Sequence, residues 1–344
     1  MKKRIALFFG GRSAEYAVSL RSAATVLRAL PEKTYEVLPV GITRAGAWRL
    51  CHAGADEIEA DAWQEHSVPC LLSPDRVERG LWVFEAEGPR LVPLDLLFAV
   101  THGSYGEDGC LQGLFALSGI PQVGCGVCAS ALGMDKALTK TLCAAHGIPT
   151  LPFVLLRPDT PAAAAIGEAE ERLSYPMFVK PTRGGSSVGA AIARDRASLS
   201  RAIKEALPHG AVMIEPYLPA RELEVAVTDG RADGVGEIEL TGAEFYDYDT
   251  KYEKAGARLL IPAPISPRTE RAAREYAERL CRALDCRGGV RVDFFLSRRD
   301  GRLFLNEINT LPGFTDISMY PRLAAGDAPL PALLERLIAG AFAR

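Results

Sequence analysis

Apolar positions recur along this chain in two rhythms, short continuous runs and stretches that return every three to four residues. Their alternation predicts a mixed α/β protein. The runs Ile5–Phe9, Tyr35–Val40 and Leu94–Val100 read as strands, with Val18–Leu30 and Leu111–Leu117 as helices. Ala129–Ala145 reads as one helix, ended by Gly147-Ile148-Pro149. Pro161–Ala165 has the composition of a linker, but the acidic, helix-prone residues after it predict a surface helix. Strands are expected at Met177–Lys180 and Ala190–Ala193, flanking a glycine-serine loop, and again at Ala211–Glu215 and Glu222–Val227. A long helix through Glu270–Leu284 precedes two β-rich runs, Gly289–Leu296 and Leu303–Ile308, joined by the polar turn Arg298–Gly301. Leu330–Phe342 reads as a last helix.

If those two runs form a hairpin, Asp293, Glu307 and Asn309 converge, with Arg291 beside them. Two carboxylates and a carboxamide form the all-oxygen set that hard divalent cations favour, especially where nucleotide phosphates complete the shell. A structural polar network is the bland alternative.

Composition narrows the class without naming a chemistry. At 344 residues, two or three domains are expected, and 48% hydrophobic with 24% charged residues is an ordinary globular balance. A formal charge of -3 supplies no general attraction for nucleic acid or an anionic membrane, and no nucleic-acid motif or internal repeat is present. Met1-Lys2-Lys3 before Ile5–Phe9 imitates the start of a signal peptide, but Gly10-Gly11-Arg12 and Glu15 end the apolar run too soon. No membrane-spanning run is apparent, so a cytoplasmic location is expected. Of the eight cysteines, only Cys125 and Cys128 have metal or redox spacing, and no second such pair completes a site. Structural or incidental thiols are the expected reading.

Several loops carry chemistry. Lys180-Pro-Thr-Arg-Gly-Gly-Ser-Ser-Val-Gly189 is the clearest anion-binding candidate, because its glycines permit close approach while backbone N–H groups and the Ser186 and Ser187 hydroxyls can donate. It lacks the GK[ST] ending of a Walker A loop, and Gly10-Gly11 does not begin a dinucleotide fingerprint. His102 and the segment Gly103–Gly109 follow the strand Leu94–Val100, where ligand-facing loops gather. A satisfied histidine in a plain turn remains the alternative there. Lys136 could project toward phosphates or be solvated, and Glu15 could receive an ammonium or occupy a helix start. Glu244–Tyr252 combines aromatic and charged groups as a closing lid would, with Lys251 and Tyr252 meeting polar substrate atoms. Gly313 offers a backbone donor after Pro312, and Ser318 offers a hydroxyl to a carboxylate or to a local turn.

Taken in order, these motifs resemble the ATP-grasp superfamily and, more closely, the D-alanine–D-alanine ligase family. The ordered set runs from Gly10-Gly11-Arg12-Ser13-Ala14-Glu15 through His102-Gly103, Met134-Asp135-Lys136, Gly185-Ser186-Ser187-Val188-Gly189 and Lys251-Tyr252. Arg291-Val292-Asp293, Asn306-Glu307-Ile308-Asn309-Thr310 and Pro312-Gly313 complete it. The resemblance implies a three-domain α/β ATP-grasp architecture: an amino-terminal substrate-binding domain over residues 1–125, a central domain over 126–212 and a catalytic domain over 213–344. It implies ATP and Mg²⁺, with Mn²⁺ as an alternative ion, and a homodimer. Lys136 and Lys180 would meet ATP phosphates, Glu215 the adenine and Glu222 the ribose. Glu15 would bind the ammonium of the first D-alanine, linked through Ser186 and Tyr252 to the closing loop. His102 would orient that substrate, Lys251 would aid closure, and Ser318 would hold the carboxylate of the second amino acid. Asp293, Glu307 and Asn309 would carry the metal, and Arg291 with the Gly313 N–H would stabilise the oxyanion.

The implied reaction has two steps, formation of a D-alanyl phosphate and attack on it by a second D-amino acid for peptidoglycan precursor synthesis. Departures bear on that second substrate. Gly184 replaces a common glutamate, Tyr16 stands where many relatives have arginine or histidine, and Asp316-Ile317 replaces a common Ser-His pair. Glu15-Tyr16, the segment Gly41–Trp48 and Ile238-Glu239-Leu240 look more like type-G vancomycin-resistance D-alanine–D-serine ligases. The expectation is D-alanine as first substrate and D-alanine as second, with D-serine as the alternative. Tyr252, where D-lactate-using relatives have histidine, argues for an amine acceptor.

Overall fold

The structure is a computed structural model that describes residues 2–185, 188–240 and 257–343. Among these residues the strands form three sheets. The first contains β1 (Lys3–Gly10), β2 (Tyr35–Ile42), β3 (Trp48–Cys51), β4 (Ser67–Leu72), β5 (Gly80–Glu85), β6 (Gly88–Pro93), β7 (Leu96–Ala99) and β8 (Gln122–Val123). Their order is β6-β5-β4-β3-β2-β1-β7-β8, parallel from β2 to β8 and antiparallel from β2 outward to β6. Ile5–Phe9 is a continuous apolar run because β1 is covered on both faces. Ile5, Leu7 and Phe9 enter one core with α1 (Tyr16–Ala29), while Ala6 and Phe8 enter another with Leu111 and Phe115 of α3 (Cys110–Ser118). A short α2 (Ala55–Glu59) lies against α1.

The predicted helix Ala129–Ala145 is instead two helices, α4 (Val127–Met134) and α5 (Lys136–Ala145). Asp135 breaks the run at φ −96° and ψ 102°, and its carboxylate accepts from the Ala137 and Leu138 N–H groups at 3.1 and 3.2 Å. An aspartate that caps a new helix ends the preceding one, which apolar periodicity alone does not reveal.

The second sheet, in order β11-β10-β12-β9, is antiparallel throughout. It comprises β9 (Val154–Leu156), β10 (Met177–Pro181), β11 (Ala191–Ala193) and β12 (Val212–Pro216). One core joins it to α6 (Ala162–Arg172), the expected surface helix, and to α7 (Arg196–Ala206).

The third sheet contains β13 (Ala220–Thr228), β14 (Arg231–Leu240), β15 (Ala257–Leu260), β16 (Gly289–Ser297) and β17 (Leu303–Asn309), in order β15-β14-β13-β16-β17 and antiparallel. One face is covered by α8 (Pro267–Leu284), whose Ala273, Ala277, Leu280 and Leu284 are buried at helical spacing. The other receives α9 (Met319–Ala325) on a patch of glycines. A Cβ added at Gly236 would lie 2.4 Å from the Met319 sulfur, and one at Gly289 would lie 2.4 Å from the Tyr320 ring. Helix α10 (Leu330–Phe342) then packs back against α1 and β8, so Leu333, Leu337 and Ile338 share the core of β1.

Candidate functional site

The predicted hairpin forms with Asp293 opposite Glu307 and Arg291 opposite Asn309, and the register shifts immediately after Asp293. These four residues therefore gather at one end of β16 and β17. Placed so close, two carboxylates need counter-charge, and the chain supplies it from two directions. The Arg291 guanidinium clasps both Asp293 oxygens at 2.8 Å and lies 3.3 Å from Glu224 on β13. Burial alone would lower the Arg291 pKa, but the charges of Asp293 and Glu224 override it and hold the group well above the arginine range. Lys136, the first residue of α5, brings its Nζ to 3.0 Å from Glu307 and donates to the Gly184 carbonyl at 2.8 Å. Here too burial opposes the charged form and Glu307 overcomes it, raising the lysine pKa. Asn309 uses its Oδ1 to accept from the Leu311 N–H at 3.0 Å.

Lys180 and Glu215 lie on adjacent strands β10 and β12, diagonal to each other on one face. Lys180 Nζ is 3.0 Å from Glu215 Oε2 and donates to Asn306 Oδ1 at 3.1 Å. Glu215 Oε1 accepts from Lys140, a buried residue of α5 that sequence reading did not single out. Burial would raise the Glu215 pKa, yet Lys140 and Lys180 hold it below the ordinary carboxylate range. Burial pushes Lys140 down against the pull of Glu215.

These groups border a cavity of about 290 Å³ between the second and third sheets, lined by Lys136, Lys180, Glu215, Glu222, Asp293 and Glu307 among others. A second cavity of about 130 Å³ adjoins it and is lined by Glu15, His102, Glu107, Asn309, Gly313 and Ser318. Lys136, Gly184, Gly185, Arg291 and Glu307 line both. Glycine is what lets the walls approach: a Cβ on Gly185 would stand 3.0 Å from Glu15 Oε2. His102 is buried, and its Nε2 has no hydrogen-bond partner among the described residues. Burial lowers its pKa, against the charge of Glu15 and a hydrogen bond to the Leu311 backbone. Enclosure by the cleft, then the charge of Glu15, pushes the Glu107 carboxyl up to about 8. Ser318 Oγ accepts from the Thr315 N–H at 3.1 Å and lies 2.8 Å from Thr315 Oγ1, beside Gly313.

Thus the structure brings together Glu15, His102, Lys136, Lys180, Glu215, Glu222, Arg291, Asp293, Glu307, Asn309, Gly313 and Ser318 around two connected cavities. Ser186, Lys251 and Tyr252, with the expected lid Glu244–Tyr252, lie outside the described residues. Lys140, Glu107 and Glu224 were not picked out as site residues from sequence. The legible signals were the four-residue step from Lys136 to Lys140 and the two-residue step from Glu222 to Glu224, each of which keeps a side chain on its neighbour's face. Among the described residues no three His, Cys, Asp or Glu side chains cluster as a metal site. The hairpin offers instead two carboxylates and a carboxamide, hard oxygen donors already seated beside cationic groups, which fits a divalent ion. Cys125 is buried with its Sγ 3.4 Å from the Arg287 carbonyl, whereas Cys128 is exposed.

Family models described as the D-ala D-ala ligase N-terminus and C-terminus match residues 4–125 and 142–339. The D-alanine–D-alanine ligase of Heliobacterium modesticaldum is 44% identical over 352 residues, covering 100% of this chain and 96% of the relative. Among solved structures, the VanG D-Ala:D-Ser ligase from Enterococcus faecalis superposes with a TM-score of 0.90 at 36% identity, covering 99% of this chain and 100% of that one. The D-alanine–D-alanine ligase from Coxiella burnetii gives 0.86 at 30% identity, covering 100% and 94%.

Proposed function

This chain belongs to the D-alanine–D-alanine ligase family, and from that premise we infer that it is an ATP-dependent ligase joining two D-alanines through a D-alanyl phosphate. The observation that carries the reading is the pair of connected cavities with Lys136, Arg291 and Glu307 at their junction. The larger suits a nucleotide, with Lys136 and Lys180 for phosphate, Glu215 toward adenine and Glu222 toward ribose. The smaller suits amino acids. Its Glu15 receives the ammonium of the first, His102 orients it, and Ser318 receives the carboxylate of the second.

In the first step a carboxylate oxygen of D-alanine attacks the γ-phosphorus, the bond to the β-phosphate oxygen breaks, and ADP leaves. In the second, the free amine of the other D-alanine attacks the acyl carbon, the carbon–oxygen bond to phosphate breaks, inorganic phosphate leaves, and the nitrogen loses one proton. Arg291 and the Gly313 N–H stand where oxyanion charge develops in this second step. Asp293, Glu307 and Asn309 would hold Mg²⁺ or Mn²⁺, which supplies charge neutralisation for the phosphates. Ser186, Lys251 and Tyr252 belong to the same reading as the groups that close over the intermediate and exclude water. The domain division at 1–125, 126–212 and 213–344 and assembly as a homodimer are part of it.

D-Serine as acceptor is a second reading, favoured by the D-Ala:D-Ser ligase among the structural relatives and by Tyr16 and Asp316-Ile317. Purified protein supplied with ATP, Mg²⁺ and equal D-alanine and D-serine, followed by product mass, decides between them. D-alanyl-D-alanine is expected to dominate. A predominantly mixed dipeptide would transfer the assignment to D-serine, and absence of both products would overturn the substrate class.

A further inference from the structure

Lys140 has no part in the chemistry above, yet only 1% of it is exposed. An ammonium at that depth is unfavourable unless paired, and an apolar side chain of similar length would fill the space without the desolvation penalty. Its position explains what it reaches. Helix α5 places Lys140 one turn beyond Lys136, so both ammonium groups leave the same helix face. Lys136 turns to Glu307 and Gly184, and Lys140 turns to Glu215. The larger cavity is lined by Glu215 and Lys180 but not by Lys140, which stands behind Glu215.

The sharing of Glu215 is the informative detail. Lys140 takes Oε1, and Lys180 lies 3.0 Å from Oε2 while also donating to Asn306. A carboxylate with one cationic neighbour in an enclosed site would hold that neighbour strongly. With two, it is divided, and the three side chains carry two ammonium groups against one carboxylate. We propose that Lys140 is a positioning residue of the nucleotide site, holding Glu215 from behind so that the Lys180 ammonium remains available to a nucleotide phosphate. This rests on the reading of Lys180 and Glu215 as nucleotide-binding groups.

The test compares ATP and D-alanine kinetics in K140M, E215Q, the double variant K140M/E215Q, and K180M. K140M is expected to raise the KM for ATP about tenfold while kcat and the KM for D-alanine change less than about twofold. In the double variant the loss should be smaller than the product of the two single losses, because the carboxylate that would capture Lys180 has gone. A strictly multiplicative double variant would overturn the proposal. So would a K140M whose kcat falls and both KM values rise together with a drop in its melting temperature, the signature of a structural prop. K180M separates the two levels of inference. If it leaves ATP binding intact, the phosphate role of Lys180 fails; if it weakens binding while K140M does not, only the positioning role fails. Should K140M not fold, K140Q, which keeps a hydrogen bond to Glu215 without the charge, takes its place with the same expected and overturning results.

Discussion

Tyr16, one residue beyond Glu15, is gripped on three sides. Its hydroxyl donates to Asp61 Oδ1 at 2.8 Å and accepts from Trp63 Nε1 at 3.2 Å, and the Arg44 guanidinium lies 3.9 Å over its ring. Burial, then the hydrogen bond to Asp61, raises the phenol from 10.0 to about 12. The folded chain therefore holds this proton more tightly than the unfolded chain does. The stability tied to it is whole below pH 10 and is lost as pH rises toward about 12. Y16F should lower unfolding stability at pH 8 by about 1–2 kcal/mol, and the gap from the parent should narrow above pH 10, as urea titrations across that range would register. Arg291 gives a sharper functional case. Its planar fork engages both Asp293 oxygens, a geometry that lysine cannot reproduce. R291K is expected to reduce kcat about 100-fold with a smaller change in the KM for ATP; steady-state kinetics showing parental kcat would remove Arg291 from the oxyanion role.

At the scale of elements, glycines decide how helices meet sheets. Gly289 starts β16 beneath Tyr320, and an added Cβ there would lie 2.4 Å from the ring. G289A should destabilise the protein by about 1–3 kcal/mol, read from the shift of its denaturant midpoint. At the break between α4 and α5, D135A removes a side chain that caps two N–H groups and pairs with Arg183 at 3.0 Å. A loss of about 1 kcal/mol is expected, with D135N recovering most of it. The hairpin was legible because Val290, Val292 and Phe294 alternate with Arg291 and Asp293, so buried and site-facing residues separate by strand period. Strand β14 was not, because Gly234 and Gly236 interrupt its apolar rhythm in order to seat α9. Strands β3 to β6 escaped for another reason: they are short, half-exposed pieces at the antiparallel side of their sheet. The site followed the same division. Local motifs pointed to Lys136, Asp293 and Glu307, but the partnership of Lys140 with Glu215 spans 75 positions and no local pattern encodes it.

At the scale of the whole molecule, buried and exposed thiols test the packing directly. Cys110 and Cys128 are exposed, and the other six of the eight cysteines are buried. Burial pushes the Cys70 and Cys143 thiols up to about 12, so few thiolates form there at neutral pH. Native protein should react rapidly with a chromogenic thiol reagent at about two thiols, and at the rest only on denaturation; rapid reaction of all eight would contradict the packing of the three cores that hold the buried cysteines. The cleft between the second and third sheets makes a separate expectation. A nucleotide bound there at a hundred times its Kd should stabilise the fold by about 2.7 kcal/mol, visible as a higher melting temperature.

Helix α10 bears on how the chain comes to be folded. Strand β1 is synthesised long before α10, yet the core around Ile5, Leu7 and Phe9 is completed by Leu333, Leu337 and Ile338. A domain whose core lies wholly in early residues can close while synthesis continues. Here α1 can cover part of that face of the first sheet early, but its core stays incomplete until residues 330–342 arrive. A nascent chain stalled before that helix should remain bound by chaperones and open to protease, and the first sheet should become fully resistant only when helix α10 has been made.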